Sequence, residues 1–314
     1  MSSEAMPADL LSGPQYRGRF APSPTGPLHF GSLVAAVASY AQAMHHQGEW
    51  LVRIEDIDPT REVSGAAASI LRSLDAHGFN YPEPVFQSTR LDAYRAALDT
   101  LVDQGAAFHC SCTRQQLLKT ATRGRAGMIY PGTCREGADE SARPAVSIRL
   151  LTEEAMVSFT DGLQGEQSCA VGTEIGDFLL RRGDGHIAYQ LAVALDDAEQ
   201  HITEVFRGTD LLDSTFMQRL VLEKLGKKMP DYAHFPVVTG ADGRKLSKQT
   251  GAPKLDNNCP NINLLRALSF LLQEPPESLR NAPLTTLWAW VGAHWNPRRL
   301  EAVQSRPETG IMVQ

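Results

Sequence analysis

Histidine, lysine and glycine in two short segments have the chemistry to grip a polyphosphate. The first segment runs Pro24-Thr-Gly26-Pro-Leu-His29-Phe-Gly31-Ser32. Gly26 and Gly31 let the backbone come close to a bulky ligand, and His29 can donate a hydrogen bond to a phosphate oxygen where negative charge develops. Taken alone, the spacing serves a plain turn with an ordinary loop histidine equally well, because short glycine motifs recur often. The second segment, Lys245-Leu-Ser-Lys-Gln249, sets two lysines three apart at the end of a glycine-rich loop, Gly240 to Lys248. Lysine is a compact point charge suited to phosphate, and a basic loop closing over a triphosphate stabilises an in-line transition state through position and charge. A Lys-x-x-Lys pair is otherwise solvated surface. Two such segments in one chain favour the ligand.

A third group is made of sulfur. Cys110-Ser-Cys112 and Cys134 cluster among the five cysteines, while Cys169 and Cys259 stand apart and read as structural. Thiolates from two turns suit a structural zinc, which can hold together a small insertion with little core; a cluster of free thiols is the alternative. The first fifteen residues are polar and lack the basic and apolar regions of an export signal, so a disulfide framework is not expected.

These groups need elements to position them. Arg17–Ala21 and Trp50–Glu55 read as strands, and Ser32–Met44 as an alanine- and leucine-rich helix capped by Ser32. Strand, loop, helix, strand predicts a right-handed parallel crossover. The first loop then lies between a strand's carboxyl end and a helix N-terminus, where doubly wound sheets receive ligands and unpaired N–H groups attract phosphate. Helical patterns follow at Ala66–His77 and Leu91–Gln104. Residues 108–143 change texture. They hold the cysteine cluster, and Arg114, Lys119, Arg123, Arg125 and Arg135 precede Glu136 with no acid among them. Strands are expected at Val146–Leu151, Glu174–Arg181, Ile187–Leu195 and His234–Val238, a helix over Asp210–Leu225, and short helices after Ile262. The expected fold is α/β, a doubly wound parallel sheet over 16–107 and 144–255, split by a zinc-bearing insertion at 108–143 and followed by a short helical region at 256–314.

Bulk properties bound the class. The 314 residues are 42% apolar and 21% charged, an ordinary globular balance, and no apolar run approaches the roughly 20 residues that span a bilayer. A net charge of −6 offers no whole-chain signal for nucleic acid, which is bound through local patches. A cytoplasmic enzyme is expected.

The motifs also resemble a known family. His29-Phe-Gly31-Ser32 resembles the HIGH signature of class I aminoacyl-tRNA synthetases, and Lys245-Leu-Ser-Lys-Gln249 resembles their KMSKS loop. Arg19-Phe-Ala-Pro-Ser-Pro-Thr-Gly26, Arg53-Ile-Glu-Asp-Ile-Asp58 and Val205-Phe-Arg-Gly208 are similar to glutamyl-tRNA synthetases, in that family's order, from about Tyr16 to Leu255. Ser32 replaces the last histidine of the first signature, and Leu246 and Gln249 replace methionine and serine in the second. The resemblance implies a Rossmann-like catalytic domain that activates L-glutamate with Mg²⁺-bound ATP. It implies His29, Lys245 and Lys248 as catalytic residues, with His29, Gly31, Ser32 and Lys248 at ATP. Arg19, Phe20, Ala21, Pro22, Ser23, Glu55, Tyr189 and Arg207 would line the glutamate pocket. The residue types agree: two carboxylates want guanidinium forks from Arg19 and Arg207, and an ammonium wants Glu55 and Tyr189. Local ion pairs (Arg53–Glu55, Arg207–Asp210) and a core tyrosine are the plainer alternatives. Asp196 and Asp197 also match and are given no role beyond shaping the site.

About sixty residues follow Lys248, too few for the helical anticodon-reading modules of a full-length enzyme. In this the chain is similar to the family's short paralogues, which transfer glutamate to the queuosine base in the anticodon of tRNA(Asp). That similarity implies Tyr130 as the fourth zinc ligand beside Cys110, Cys112 and Cys134, with His109 as its substitute. The basic insertion would touch the anticodon stem of the tRNA, and a monomer is expected. A truncated synthetase charging the 3′ end of tRNA(Glu) is the alternative within the class. A catalytically silent tRNA-binding paralogue is the alternative outside it.

Overall fold

The computed structural model describes residues 15–138, 146–240, 243–246 and 253–308. β1 (Arg17–Phe20) leads through the proline- and glycine-punctuated loop into α1 (Phe30–His45), and β2 (Glu49–Ile54) returns parallel to β1, Arg17 opposite Glu49 and Phe20 opposite Val52. This is the expected crossover. The helix cap differs from expectation: α1 begins two residues earlier, and the His29 ring caps it, its Nδ1 accepting from the Ser32 backbone N–H at 3.3 Å. A ring nitrogen in an extended residue does here what a serine hydroxyl usually does.

α2 (Ala66–Ala76) and the short β3 (Val85–Phe86), which pairs parallel to β2, extend this half, and α3 (Leu91–Asp103) closes it. The pairing then turns antiparallel. β4 (Ala107–Cys110) leads to α4 (Arg114–Thr120), to the hairpin of β5 (Thr122–Gly124) and β6 (Gly127–Ile129), and to β7 (Ser147–Leu150). A second hairpin, β8 (Met156–Asp161) and β9 (Gly165–Ala170), precedes the single turn α5 (Val171–Glu174) and β10 (Leu179–Arg181). β7 lies between β4 and β10 in one antiparallel sheet.

Parallel pairing resumes after α6 (Tyr189–Glu199). β11 (Glu204–Gly208), α7 (Leu212–Lys224) and β12 (Asp231–Phe235) form a second crossover, Glu204 opposite Asp231 and Gly208 opposite Phe235. Thr203 joins the two parallel halves. Its N–H donates to the Arg17 carbonyl at 2.9 Å, and its hydroxyl accepts from the Arg17 N–H at 2.9 Å. The chain therefore leaves β1 toward β2 and β3 on one side and comes back as β11 and β12 on the other. That reversal is a topological switch point, and it opens a crevice at the carboxyl ends of β1 and β11. β13 (Val237–Thr239), α8 (Pro260–Phe270), α9 (Leu284–His294) and β14 (Ser305–Pro307) complete the described chain, with β14 parallel to β13.

Three expected strands need correction. Ile187–Leu195 is mostly the helix α6, whose residues Leu191 to Asp197 are all buried. A helix buried on every face loses its 3.6-residue stripe, and its apolar run then imitates a buried strand. Of Glu174–Arg181 only Leu179–Arg181 is strand, because Gly176 adopts φ 75° and the buried Asp177 turns its carboxylate to Thr152 and Arg135. His234–Val238 is divided between β12 and β13 at Pro236, which has no N–H for a ladder.

Two apolar clusters support the crevice. One gathers α1, β2, α8 and α9 around Trp50, Phe270 and Trp288; the other packs α3, α6 and α7 around Tyr94, Leu195 and Phe216. Indole hydrogen bonds from Trp288 to the His77 carbonyl (2.9 Å) and from Trp295 to Gln42 (2.8 Å) pin the last helices to the first half. Among the described residues no helix is long and apolar enough to cross a membrane.

Candidate active site

The crevice is a cavity of about 710 Å³. Every described residue that the sequence analysis assigned to glutamate or ATP lines it: Arg19, Phe20, Ala21, Pro22 and Ser23 from the end of β1, His29, Gly31 and Ser32 from the start of α1, Glu55 after β2, Tyr189 at the start of α6, Arg207 from β11, and Lys245. Lys248 lies outside the described residues. The two phosphate-type segments meet. A methyl group on Gly31 would stand 3.2 Å from the His29 ring and 3.7 Å from the Leu246 carbonyl, so the histidine loop and the lysine loop share one wall. Gly26, at φ 137°, supplies the positive-φ turn between β1 and His29. Since His29 Nδ1 accepts from Ser32, a neutral ring carries its proton on Nε2. Lys245 forms an ion pair with Asp210, a partner that the sequence analysis did not name.

The end of the cavity formed by Arg19, Glu55, Tyr189 and Arg207 is built on buried charge. Arg19, 5% exposed, is gripped in a fork by Asp197, Nε to Oδ1 at 3.1 Å and Nη2 to Oδ2 at 3.3 Å. Asp197 also accepts from the fully buried Arg53 at 2.8 Å. Burial pushes the Asp197 carboxyl up, but Arg19 and Arg53 outweigh it and hold the acid below its ordinary range. Glu55 is in the opposite condition. Burial dominates over the pull of Arg53 and Arg19 and raises its carboxyl to about 7. Burial and the charge of Glu55 raise the Tyr189 phenol, so its hydroxyl stays protonated and can donate. Asp196, beside Asp197 on α6, ties that helix to the other half by accepting from Gln87, Arg90 and Tyr94 at 2.8, 2.6 and 2.8 Å.

Arg207 is held by groups that sequence reasoning missed. Its Nε donates to His234 Nε2 at 3.1 Å, and its Nη2 donates to the Thr215 hydroxyl at 2.8 Å and the Leu211 carbonyl at 3.2 Å. His234 in turn meets Asp161 through Nδ1 at 2.5 Å. A lone histidine in an apolar strand and an Asp-Gly turn were the available signals, and neither names a partner.

The cysteines converge as expected. The Sγ atoms of Cys110, Cys112 and Cys134 lie within 4.8 Å of one another. The Tyr130 hydroxyl lies 3.4 Å from Cys110 Sγ and 3.7 Å from Cys112 Sγ, and accepts from the Cys134 N–H at 2.8 Å. Three thiols and a phenol oxygen facing one point fit the donor set of a tetrahedral metal ion. His109 is exposed on the strand face opposite Cys110, and it is the Tyr130 hydroxyl that lies beside the sulfurs. The five cations between residues 108 and 138 divide. Arg125 pairs with Asp213 at 2.6 Å, and Arg135 forks onto Asp177 at 2.7 and 3.0 Å, so both tie this segment to later parts of the chain. Arg114, Lys119 and Arg123 form no ion pair among the described residues and are exposed.

Residues 15–262 match the family described as the catalytic domain of class I tRNA synthetases (E and Q). The chain belongs to that class. A glutamyl-Q tRNA(Asp) synthetase of Chromobacterium violaceum is 48% identical over 293 residues, covering 93% of this chain and 97% of its own, and one of Dechloromonas aromatica is 50% identical over 283 residues, covering 89% and 94%. Within the class, the chain belongs to the family of the glutamyl-Q tRNA(Asp) synthetases. The crystal structure of glutamate-tRNA synthetase from Elizabethkingia anophelis has the same fold, with a TM-score of 0.76 at 22% identity over 93% of this chain and 68% of that one.

Proposed function

We propose that this chain activates L-glutamate with ATP and transfers it to the queuosine base in the anticodon of tRNA(Asp). The observation that carries the reading is the switch-point cavity, where Arg19, Glu55, Tyr189 and Arg207 stand beside His29 and Lys245. Arg19 and Arg207 receive the carboxylates of glutamate; Glu55 and Tyr189 receive its ammonium. The α-carboxylate attacks the α-phosphorus of Mg²⁺-bound ATP in line and pyrophosphate leaves. His29, Lys245 and Lys248 stabilise the developing charge, Lys245 exchanging Asp210 for phosphate. A queuosine hydroxyl then attacks the glutamyl-adenylate carbonyl and releases AMP. The cis-diol of queuosine's cyclopentene ring resembles the ribose diol of a tRNA 3′ end, so one catalytic domain can serve either acceptor.

The names of the relatives at 48 and 50% identity support queuosine as the acceptor. Cys110, Cys112, Tyr130 and Cys134 would hold one structural zinc, a cross-link for residues 108–143 between the catalytic halves 16–107 and 144–255. Arg114, Lys119 and Arg123 would meet the tRNA phosphates. The enzyme would act as a cytoplasmic monomer. The test is to supply ATP, Mg²⁺ and labelled glutamate with tRNA from cells able or unable to make queuosine. Label is expected only in queuosine-bearing tRNA(Asp). Label in tRNA(Glu) from both pools would identify 3′-end charging instead, and no label in either would identify a silent paralogue.

A further inference from the structure

We propose that Asp161 and His234 are positioning residues for this reaction: together they lock Arg207 so that its Nη1 is left to receive a substrate carboxylate. The inference rests on the glutamate reading of the cavity and adds a device that decides how firmly the acid is held.

The geometry is closed at every point but one. Asp161 Oδ1 accepts from the backbone N–H groups of Leu163 (3.0 Å), Gln164 (2.9 Å) and His234 (3.0 Å), which leaves Oδ2 for the imidazole Nδ1 at 2.5 Å. An ionised carboxylate accepts only, so Nδ1 carries the proton and a neutral His234 offers Nε2 as an acceptor. That lone pair meets the Nε–H of Arg207, while Thr215 and Leu211 take Nη2. Nη1 is buried and finds no partner among the described residues, although Arg207 lines the cavity. A buried guanidinium nitrogen without an acceptor is costly, and a carboxylate oxygen is the acceptor that best satisfies it. All three side chains are at most 5% exposed, so the chain from Asp161 to Arg207 is shielded from water. Burial and the nearby Arg207 hold the imidazole below its ordinary pKa, against the pull of Asp161, in keeping with a neutral ring.

The deciding variant is Asp161→Asn. An asparagine oxygen can accept the same three backbone N–H groups, so the turn is kept. Its amide then donates to Nδ1 and drives the imidazole proton to Nε2, donor against donor at Arg207. The wild-type imidazole ¹⁵N spectrum is expected to show His234 protonated at Nδ1, and that of the variant at Nε2. In glutamate-dependent ATP–pyrophosphate exchange the variant should raise KM for glutamate by about 10- to 100-fold, the range of a lost hydrogen bond to a charged group. kcat and KM for ATP should stay within about threefold, since the histidine and lysine loops are untouched. Adding His234→Gln to Asp161→Asn should recover most of the loss, because the glutamine amide can turn its oxygen to Arg207. Thr215→Val, which removes the hydroxyl that accepts from Nη2 and faces His234 Nε2 at 3.3 Å, should raise KM for glutamate by several-fold and serves if Asp161→Asn does not fold. A wild-type ring protonated at Nε2 overturns the proposal, as does an unchanged glutamate KM in a folded Asp161→Asn or, failing that, in Thr215→Val. Wild-type protein with no glutamate-dependent exchange would instead overturn the glutamate reading beneath it.

Discussion

Glu55 offers the sharpest test of the amino-acid end of the cavity. Its carboxyl is buried and raised to about 7 in the ligand-free protein, yet to receive the ammonium of glutamate it must be ionised. kcat/KM reports the ionisation of the free enzyme. With a pKa near 7, the ionised fraction rises from about 0.09 at pH 6 to about 0.91 at pH 8, so kcat/KM for glutamate should climb about tenfold across that interval with its midpoint near 7. The carboxylates of glutamate are ionised throughout and add no inflection of their own. The assay is ATP–pyrophosphate exchange at saturating Mg-ATP with varied glutamate. Glu55→Gln keeps the shape and removes the titration; it should lower kcat/KM at pH 8 by about 10- to 100-fold and leave the remainder flat with pH. The sign for stability follows from the same shift. The folded pKa lies above the unfolded value of 4.5, so the contribution of Glu55 is full below about pH 4.5 and is lost as pH rises through about 7. A flat wild-type profile between pH 6 and 8, or an inflection that survives in Glu55→Gln, would refute the assignment of Glu55 to the ammonium.

Further outcomes are expected elsewhere. Purified protein should carry about one zinc per chain, and Cys134→Ser or chelation should release it and lower Tm by about 5 °C, as loss of about 2 kcal/mol would; a metal-free preparation with the same Tm would overturn the metal site. Replacing Arg114, Lys119 and Arg123 together by alanine should flatten the dependence of log K for tRNA on log salt by about 2 to 3, with exchange unchanged, whereas an equal loss of exchange would count against a purely tRNA-facing role. Gly31→Ala places a methyl 3.2 Å from the His29 ring and must displace it by a few tenths of an ångström. Exchange should fall about tenfold while the melting curve holds, and unchanged exchange would show that His29 position is not critical.

The crossover that frames the cavity was legible because its signals are local: strand, glycine loop and alanine-rich helix follow each other between Arg17 and Glu55. The cysteine cluster was legible from residue type instead: Cys110 and Cys112 are two apart, Cys134 follows 22 residues later, and the three sulfurs meet. α6 was not. Burial on all sides erased the periodicity of Leu191–Leu195, and tertiary packing decided the state that local preference left open. The support of Arg207 was hidden more deeply. Asp161 and His234 are 73 positions apart, and nothing in an Asp-Gly turn or an apolar strand announces that each completes the other. Likewise, the sequence offered Arg19 as a carboxylate fork but gave no sign that Asp197 fixes its orientation.

Asp197 holds Arg19 at the cavity through both oxygens and Arg53 in the core through Oδ1, which the two guanidiniums share. A change of substrate preference that works through Arg19 therefore also disturbs the packing of the sheet. Divergence in this lineage should run instead through wall residues without that double attachment, such as Ser23 and Tyr189. Arg19, Arg53 and Asp197 should persist or change as a set, which makes their joint variation among descendants a historical record of when the amino-acid specificity was last open to selection.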